Sequence, residues 1–127
     1  LSRGPKILVC VTRQKTCERL IKNGQKLAVK ASGQLSVIHV AKIGVNFLGN
    51  PDEGEALDYL FQISKEAGAD MTVLRSEDVV DTIAEYAEKN HISMIVLGES
   101  PNYQSDTNII RQLEQRLPSV DIKVIPA

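Results

Sequence analysis

The sequence predicts an α/β domain: a five-stranded parallel sheet with four helices on its two faces. Three observations carry this. Short β-branched apolar runs alternate with amphipathic stretches of helical period along the chain. Gly, Pro, Asn, Asp and Ser mark the changes of period. The 127 residues, 43% of them hydrophobic, match one domain with one real core. Strands that alternate with helices run parallel, and the helices cover both faces.

The first strand is "KILVCV", residues 6 to 11. From Lys15 to Ser32, Cys17, Leu20, Ile21, Leu27, Ala28 and Ala31 recur at helical spacing, and Gly33 is expected to close that helix. "QLSVIHVA", 34 to 41, is the second strand, and the irregular "KIGVNFLGN" follows it. "NPDE" then opens a helix: Asn50 is the expected cap, Pro51 suits the first position, and Glu53 completes a capping box. Its buried stripe reads Ala56, Leu57, Leu60, Phe61, Ser64 and Ala67, and Gly68 ends it. "DMTVLR", 70 to 75, is strand three. The third helix runs from about Asp78 to Asn90 and buries Val80, Ile83, Ala84 and Ala87. "ISMIVLG", 92 to 98, is strand four. The last helix is expected to start near Ser105 or Asp106, either of which can cap it. It buries Ile109, Ile110, Leu113 and Leu117 and stops at Pro118. "DIKVIPA", 121 to 127, is strand five.

A formal charge of −1 gives no electrostatic reason to bind nucleic acid or an anionic membrane. No apolar stretch approaches the roughly 20 residues that span a bilayer. "LSRGPK" has no signal-peptide core, and it starts without Met. Cys10 and Cys17 lack metal-ligand spacing, so a reduced, cytoplasmic setting is expected.

Ligands of such sheets sit at the carboxyl ends of strands, near the point where strand order reverses. That nominates Thr12 and Arg13 after strand one, His39 and Val40 up to Lys42 at the end of strand two, and Gly98 to Asp106, with Ser100, after strand four. Phosphoacceptor chemistry needs an acidic pair after strand one and an aspartate at the end of strand three. Thr12-Arg13 and Leu74-Arg75-Ser76 stand there instead. "TRQKT" is a faint flavin loop without aromatics nearby, and no GxxxxGK[ST] or GxGxxG occurs. No metal site is expected, and no Ser/His/Asp or paired-carboxylate arrangement is argued. Gly98 reads as a strand-end turn or a phosphate contact, Arg13 as a solvated loop charge or an anion ligand, and His39 as a hydrogen-bonded strand residue.

"KILVCV", then a long helix ending in "KLAVKASGQLSVIHV", resembles the opening of the universal stress protein family. "AEKNHISMIVLGES", a helix, and "DIKVIPA" resemble its close. More narrowly, "KILVCVTRQKTCERLIKNGQKLA", "YAEKNHISMIVLGES" and "RQLEQRLPSVDIKVI" are similar to the stress-protein domain of Kdp-type potassium-sensing histidine kinases. The resemblance runs from Lys6 to Ile125. It implies a Rossmann-like fold of strand order 3-2-1-4-5, one domain over residues 1–127, and a homodimer formed through the last strand at Ile122, Val124 and Ile125. It also implies ATP or AMP binding in some members and none in others. The ATP-binding pattern has a glycine after strand four, a second glycine, a Gly-Ser or Gly-Thr pair, and an aspartate after strand one. Laid on without gaps, these fall on Gly98, Pro101, Arg111-Gln112 and Thr12, so the first glycine alone survives. Pro101 has no N–H to offer phosphate. The expectation is a cytoplasmic stress-response signalling module without catalysis. It acts through dimerisation and partner or small-ligand binding, with no required cofactor and ATP or AMP possible. The alternatives are a nucleotide (ATP, AMP or cyclic dinucleotide)-binding protein, or the detached sensory domain of a potassium-sensor kinase.

Overall fold

The computed structural model describes residues 4–99 and 103–126, with backbone alone over 103–108. Five strands, β1 (Lys6–Cys10), β2 (Gln34–Lys42), β3 (Asp70–Ser76), β4 (Met94–Gly98) and β5 (Asp121–Ile125), alternate with α1 (Gln14–Ala31), α2 (Glu53–Glu66), α3 (Val79–Lys89) and α4 (Tyr103–Arg116). A 3₁₀ turn, Phe47–Gly49, lies between β2 and α2. The sheet order is β3-β2-β1-β4-β5 and every pair is parallel. This is the expected Rossmann-like α/β fold.

Side chains of a strand alternate between faces, and the core divides accordingly. Odd-numbered Ile7, Val9, Val11, Leu35 and Val37, with Val96 of β4, join α1 and α2 in one apolar layer. Even-numbered Leu8, Cys10, Ile38 and Val40, with Ile95 and Leu97 of β4, join α3 and α4 in the other. Right-handed crossovers place α1 and α2 on one side, and the reversal of strand order after β1 sends α3 and α4 to the other. Each fully buried Val, Leu or Ile contributes about 1.5–3 kcal/mol.

Several boundaries differ from the sequence reading. Ser32, not Gly33, takes the left-handed position that ends α1, with φ of 54°. Gly33 is needed for another reason: a Cβ there would lie 2.4 Å from the Pro5 carbonyl oxygen. Gly68 does end α2, with φ of 71°. The cap of α2 is Asp52, whose carboxylate accepts from the Glu55 N–H at 3.1 Å. Asn50 stands two residues too early, and its side-chain oxygen accepts from the Asp52 N–H instead. With the start of α2 moved, Ile63 is buried and Phe61 is half exposed, at 49%. Asp78 caps α3 in the same way as Asp52, accepting from the Asp81 N–H at 3.0 Å. Strand β4 begins at Met94 rather than residue 92. Helix α4 begins at Tyr103, so Ser105 and Asp106 lie within its first turn and neither is its cap residue. Their side chains, and that of Tyr103, are outside the described residues.

Candidate functional site

The carboxyl ends of β1 and β2 face a cleft of about 470 Å³ between the start of α1 and the stretch leading into α2. Arg13, Gln14 and Lys15 form one wall, and Leu48, Gly49, Asn50 and Pro51 form the other. Arg13 and Lys15 are exposed. Arg13 is the extended residue preceding α1, with no side-chain cap, and the first turn carries no acid. The first N–H groups and dipole of an 18-residue helix therefore open onto this side, next to two cations. No carboxylate lines the cleft among the described residues. The two walls are joined: the Asn50 side-chain N–H donates to Gln14 Oε1 at 3.0 Å.

The second wall is a strap built on β2. His39 lies on the α1/α2 face and is buried at 3% exposure. The Leu48 N–H donates to His39 Nε2 at 2.9 Å. That bond requires Nε2 to be unprotonated, so Nδ1 carries the proton and donates to the Val11 carbonyl at 2.8 Å. Burial holds the His39 pKa below the ordinary imidazole value. The Val11 carbonyl opposes the shift and the Arg75 charge reinforces it. Leu48 is buried in the core with φ of 55°, a left-handed conformation few leucines adopt. Phe47 meets the His39 ring edge-on, with centroids 5.7 Å apart. The Arg75 guanidinium lies 4.0 Å over the Phe47 ring and pairs with Glu53. Glu53 also accepts from the Phe47 N–H at 3.1 Å, and these partners lower its carboxyl pKa, Arg75 most. Glu53 is thus a clasp for the strap rather than half of a capping box.

The nominated residues part company here. Arg13 lines the cleft, and Thr12 beside it is exposed. His39 sits behind the strap as its anchor. Val40 points the other way, into the α3/α4 core. Gly98 pairs with Ile125, and a Cβ on it would crowd Leu20 at 3.0 Å, a packing reason for glycine that needs no ligand. Ser100 and Pro101 are outside the described residues. Arg111 and Gln112, where the family pattern laid on without gaps puts its Gly-Ser or Gly-Thr pair, are exposed and two turns into α4. Ile125 is buried in the domain's own core, and Ile122 and Val124 are half-buried at the β5 edge. Burial pushes the Cys10 thiol up to about 12 and Cys17 to about 11, the direction opposite to that of a reactive thiolate. The sequence reading missed Gln14, Lys15 and the 48–51 wall. The signal was there: "NFLGN" follows the carboxyl end of a strand, where every loop qualifies.

A second depression, of about 460 Å³, lies at the amino end of the sheet against Phe61, Ser64, Lys65 and Met71. The Ser64 hydroxyl there is buried without a hydrogen-bond partner. Among the described residues no three His, Cys, Asp or Glu side chains gather to hold a metal, and no helix is long and apolar enough to cross a membrane.

The model of the universal stress protein family matches residues 5–125. The chain belongs to the universal stress protein family. The putative sensor protein KdpD of Synechocystis sp. is 30% identical over 124 residues, 94% of this chain. The chain spans 33% of the length of that relative. Among solved structures, a universal stress protein in complex with cAMP superposes with a TM-score of 0.71 at 13% identity, over 98% of each chain. The Archaeoglobus fulgidus universal stress protein in complex with dAMP gives 0.58 at 16% identity, over 99% of this chain and 98% of that one. At these identities the likeness to the two structures is one of fold.

Proposed function

We propose that this universal stress protein domain is a non-catalytic signalling module that binds a small anionic ligand of the adenine-nucleotide class in the Arg13–Pro51 cleft. The observation that carries this is the cleft itself, open at the carboxyl end of the sheet, with Arg13, Lys15 and an uncapped helix start on one wall. Family neighbours in complex with cAMP and dAMP support the ligand class. Binding without turnover follows from the lining. Phosphoanhydride hydrolysis asks for a carboxylate to hold Mg²⁺ near the phosphates. Thr12 and Arg13 supply none after β1, and Glu53 is committed to Arg75 and the Phe47 N–H. Occupancy would be reported to a second copy paired along β5 or to a protein partner.

The test is thermal unfolding and calorimetry with AMP, cAMP, ATP and a cyclic dinucleotide. A ligand at 100 times its Kd adds about 2.7 kcal/mol of stability. Replacing both Arg13 and Lys15 with Ala should weaken the best ligand at least about tenfold, the equivalent of one charge-assisted contact. No shift with any of the four ligands, or steady phosphate release from ATP, overturns the proposal.

A second reading, the sensory domain of a longer sensor kinase, is favoured by the 30% identity to putative sensor protein KdpD over nearly the full chain. The coding sequence on either side decides it: a transmitter domain supports this reading, and its absence removes it.

A further inference from the structure

We infer that His39 is a proton-operated latch on the strap that forms one wall of the cleft. Neutral, it holds the Phe47–Asn50 strap closed; protonated, it lets the strap go. Both ring nitrogens are committed. Nδ1–H donates to the carbonyl of Val11, the residue just past β1, and Nε2 accepts from Leu48 on the strap. An imidazolium has two donors and no acceptor. The bond to Val11 survives protonation, whereas the Leu48 N–H would then face an N–H across 2.9 Å. The strap therefore loses its only hydrogen bond to the His39 ring, and Leu48 has a left-handed backbone to relax.

The surrounding charges decide whether this proton is resisted. Arg75 from β3 faces the ring through Phe47 and opposes a second cation. Glu53 from α2 is paired with Arg75. Tyr59 of α2 is neutral at physiological pH, its pKa raised by burial. At the start of α1, Gln14 is uncharged and bonded to Asn50, Cys17 is held as a thiol by burial, and exposed Arg13 and Lys15 form the other wall of the cleft. The segment just past β1 contributes the Val11 carbonyl, and Lys42 at the end of β2 is exposed. No unpaired carboxylate among these groups favours the imidazolium. The closed strap thus lowers the affinity of His39 for a proton, and a proton lowers the stability of the closed strap by the same amount. The sign follows from linkage. Closure is fully favoured above the ordinary imidazole pKa of about 6.5 and is lost as pH falls towards the depressed value of the closed form.

Amide exchange of Leu48 and the ring ¹⁵N shifts of His39, followed by NMR from pH 7.5 to 4.5, test the latch directly. At pH 7.5 the ring should show the Nδ1–H tautomer alone. Below about 6.5 the protection factor of Leu48, corrected for intrinsic exchange, should fall about tenfold per pH unit while Val9 in β1 stays protected. A Gln at this position donates to Val11 and accepts from Leu48 without titrating, so His39→Gln should hold Leu48 protection flat with pH. If Leu48 protection in wild type is independent of pH, or falls in step with Val9, or the ring is an Nε2–H tautomer at pH 7.5, the latch does not exist. Should His39→Gln not fold, the wild-type profile and tautomer still decide. These readouts involve no ligand, so they stand apart from the proposed nucleotide cleft. The expected consequence, weaker ligand binding in acid, rests on that proposal.

Discussion

Gly24 shows how a single residue inverts a propensity rule. Alanine in the middle of a helix outranks glycine by about 1 kcal/mol. Gly24 lies in the middle of α1, so the rule alone favours Gly24→Ala. Yet a Cβ there would stand 2.4 Å from Val9 Cγ2 and 3.1 Å from Leu35 Cδ1. Neither neighbour is a flexible end: both are short chains in a packed sheet. Overpacking costs about 1–3 kcal/mol, so it outweighs the gain in propensity. Gly24→Ala should lower the urea midpoint, with a net loss of about 1 kcal/mol, whereas a raised midpoint would show that α1 shifts freely off β1. His39 makes the same point about chemistry. The sequence placed it on one face of β2 among apolar neighbours, and that alternation was sound. Its two partners, the Val11 carbonyl and the Leu48 N–H, were not legible, because one lies just past another strand and the other in a loop of unusual backbone.

At the scale of the element, helices and strands were legible because their signals are local. A short apolar, β-branched run in β1 and period 3.6 in α1 and α3 are written within single segments. The start of α2 was not. Asn50, Asp52 and Glu53 all have cap chemistry, and choosing among them depends on where the strap ends. The strap ends late, so Asp52 caps, Asn50 braces and Glu53 clasps Arg75. The stripe of α2 rotates with that choice, burying Ile63 and exposing Phe61. Asp52→Ala should cost about 1 kcal/mol and strip amide protection from Glu55. Asn50→Ala removes a brace and no cap, so Glu55 protection should remain. Equal loss in both variants would mean that cap and brace act as one unit.

At the scale of the whole molecule the sheet ends in two edges, β3 and β5. An unpaired edge is a template for another strand unless it is covered. Pairing β5 with its two-fold mate closes one edge and gives an isologous dimer. Because Ile125 is spent in the domain's own core, such an interface draws on the β5 backbone with half-buried Ile122 and Val124. Wild type should sediment as a dimer at about 10–50 μM and Val124→Lys as a folded monomer. A wild-type monomer in that range excludes β5 as a self-association edge. The carbonyl of Pro126, just past β5, accepts from the Arg19 guanidinium of α1, so the end of β5 is tied to the helix that begins at the cleft.

The order and kind of the elements, the parallel sheet and the presence of helices on both faces were legible from the residues alone. Those follow from patterns within one segment and from the handedness of crossovers, and neither needs a contact map. The sequence's list of strand ends includes Arg13, which lines the cleft at the carboxyl ends of β1 and β2. Tertiary structure alone decided which residues meet around the cleft. Val11 with His39, Gln14 with Asn50, and Glu53 with Arg75 are pairs separated by 28, 36 and 22 positions. Their meeting depends on the register of β1 on β2, on β2 against β3, and on the path of one irregular loop. A one-residue slip of a strand would send its side chains to the opposite face and undo them. Arg13 therefore became a wall of the cleft, His39 its hidden anchor and Val40 plain core, although all three stood in the same short list of strand ends.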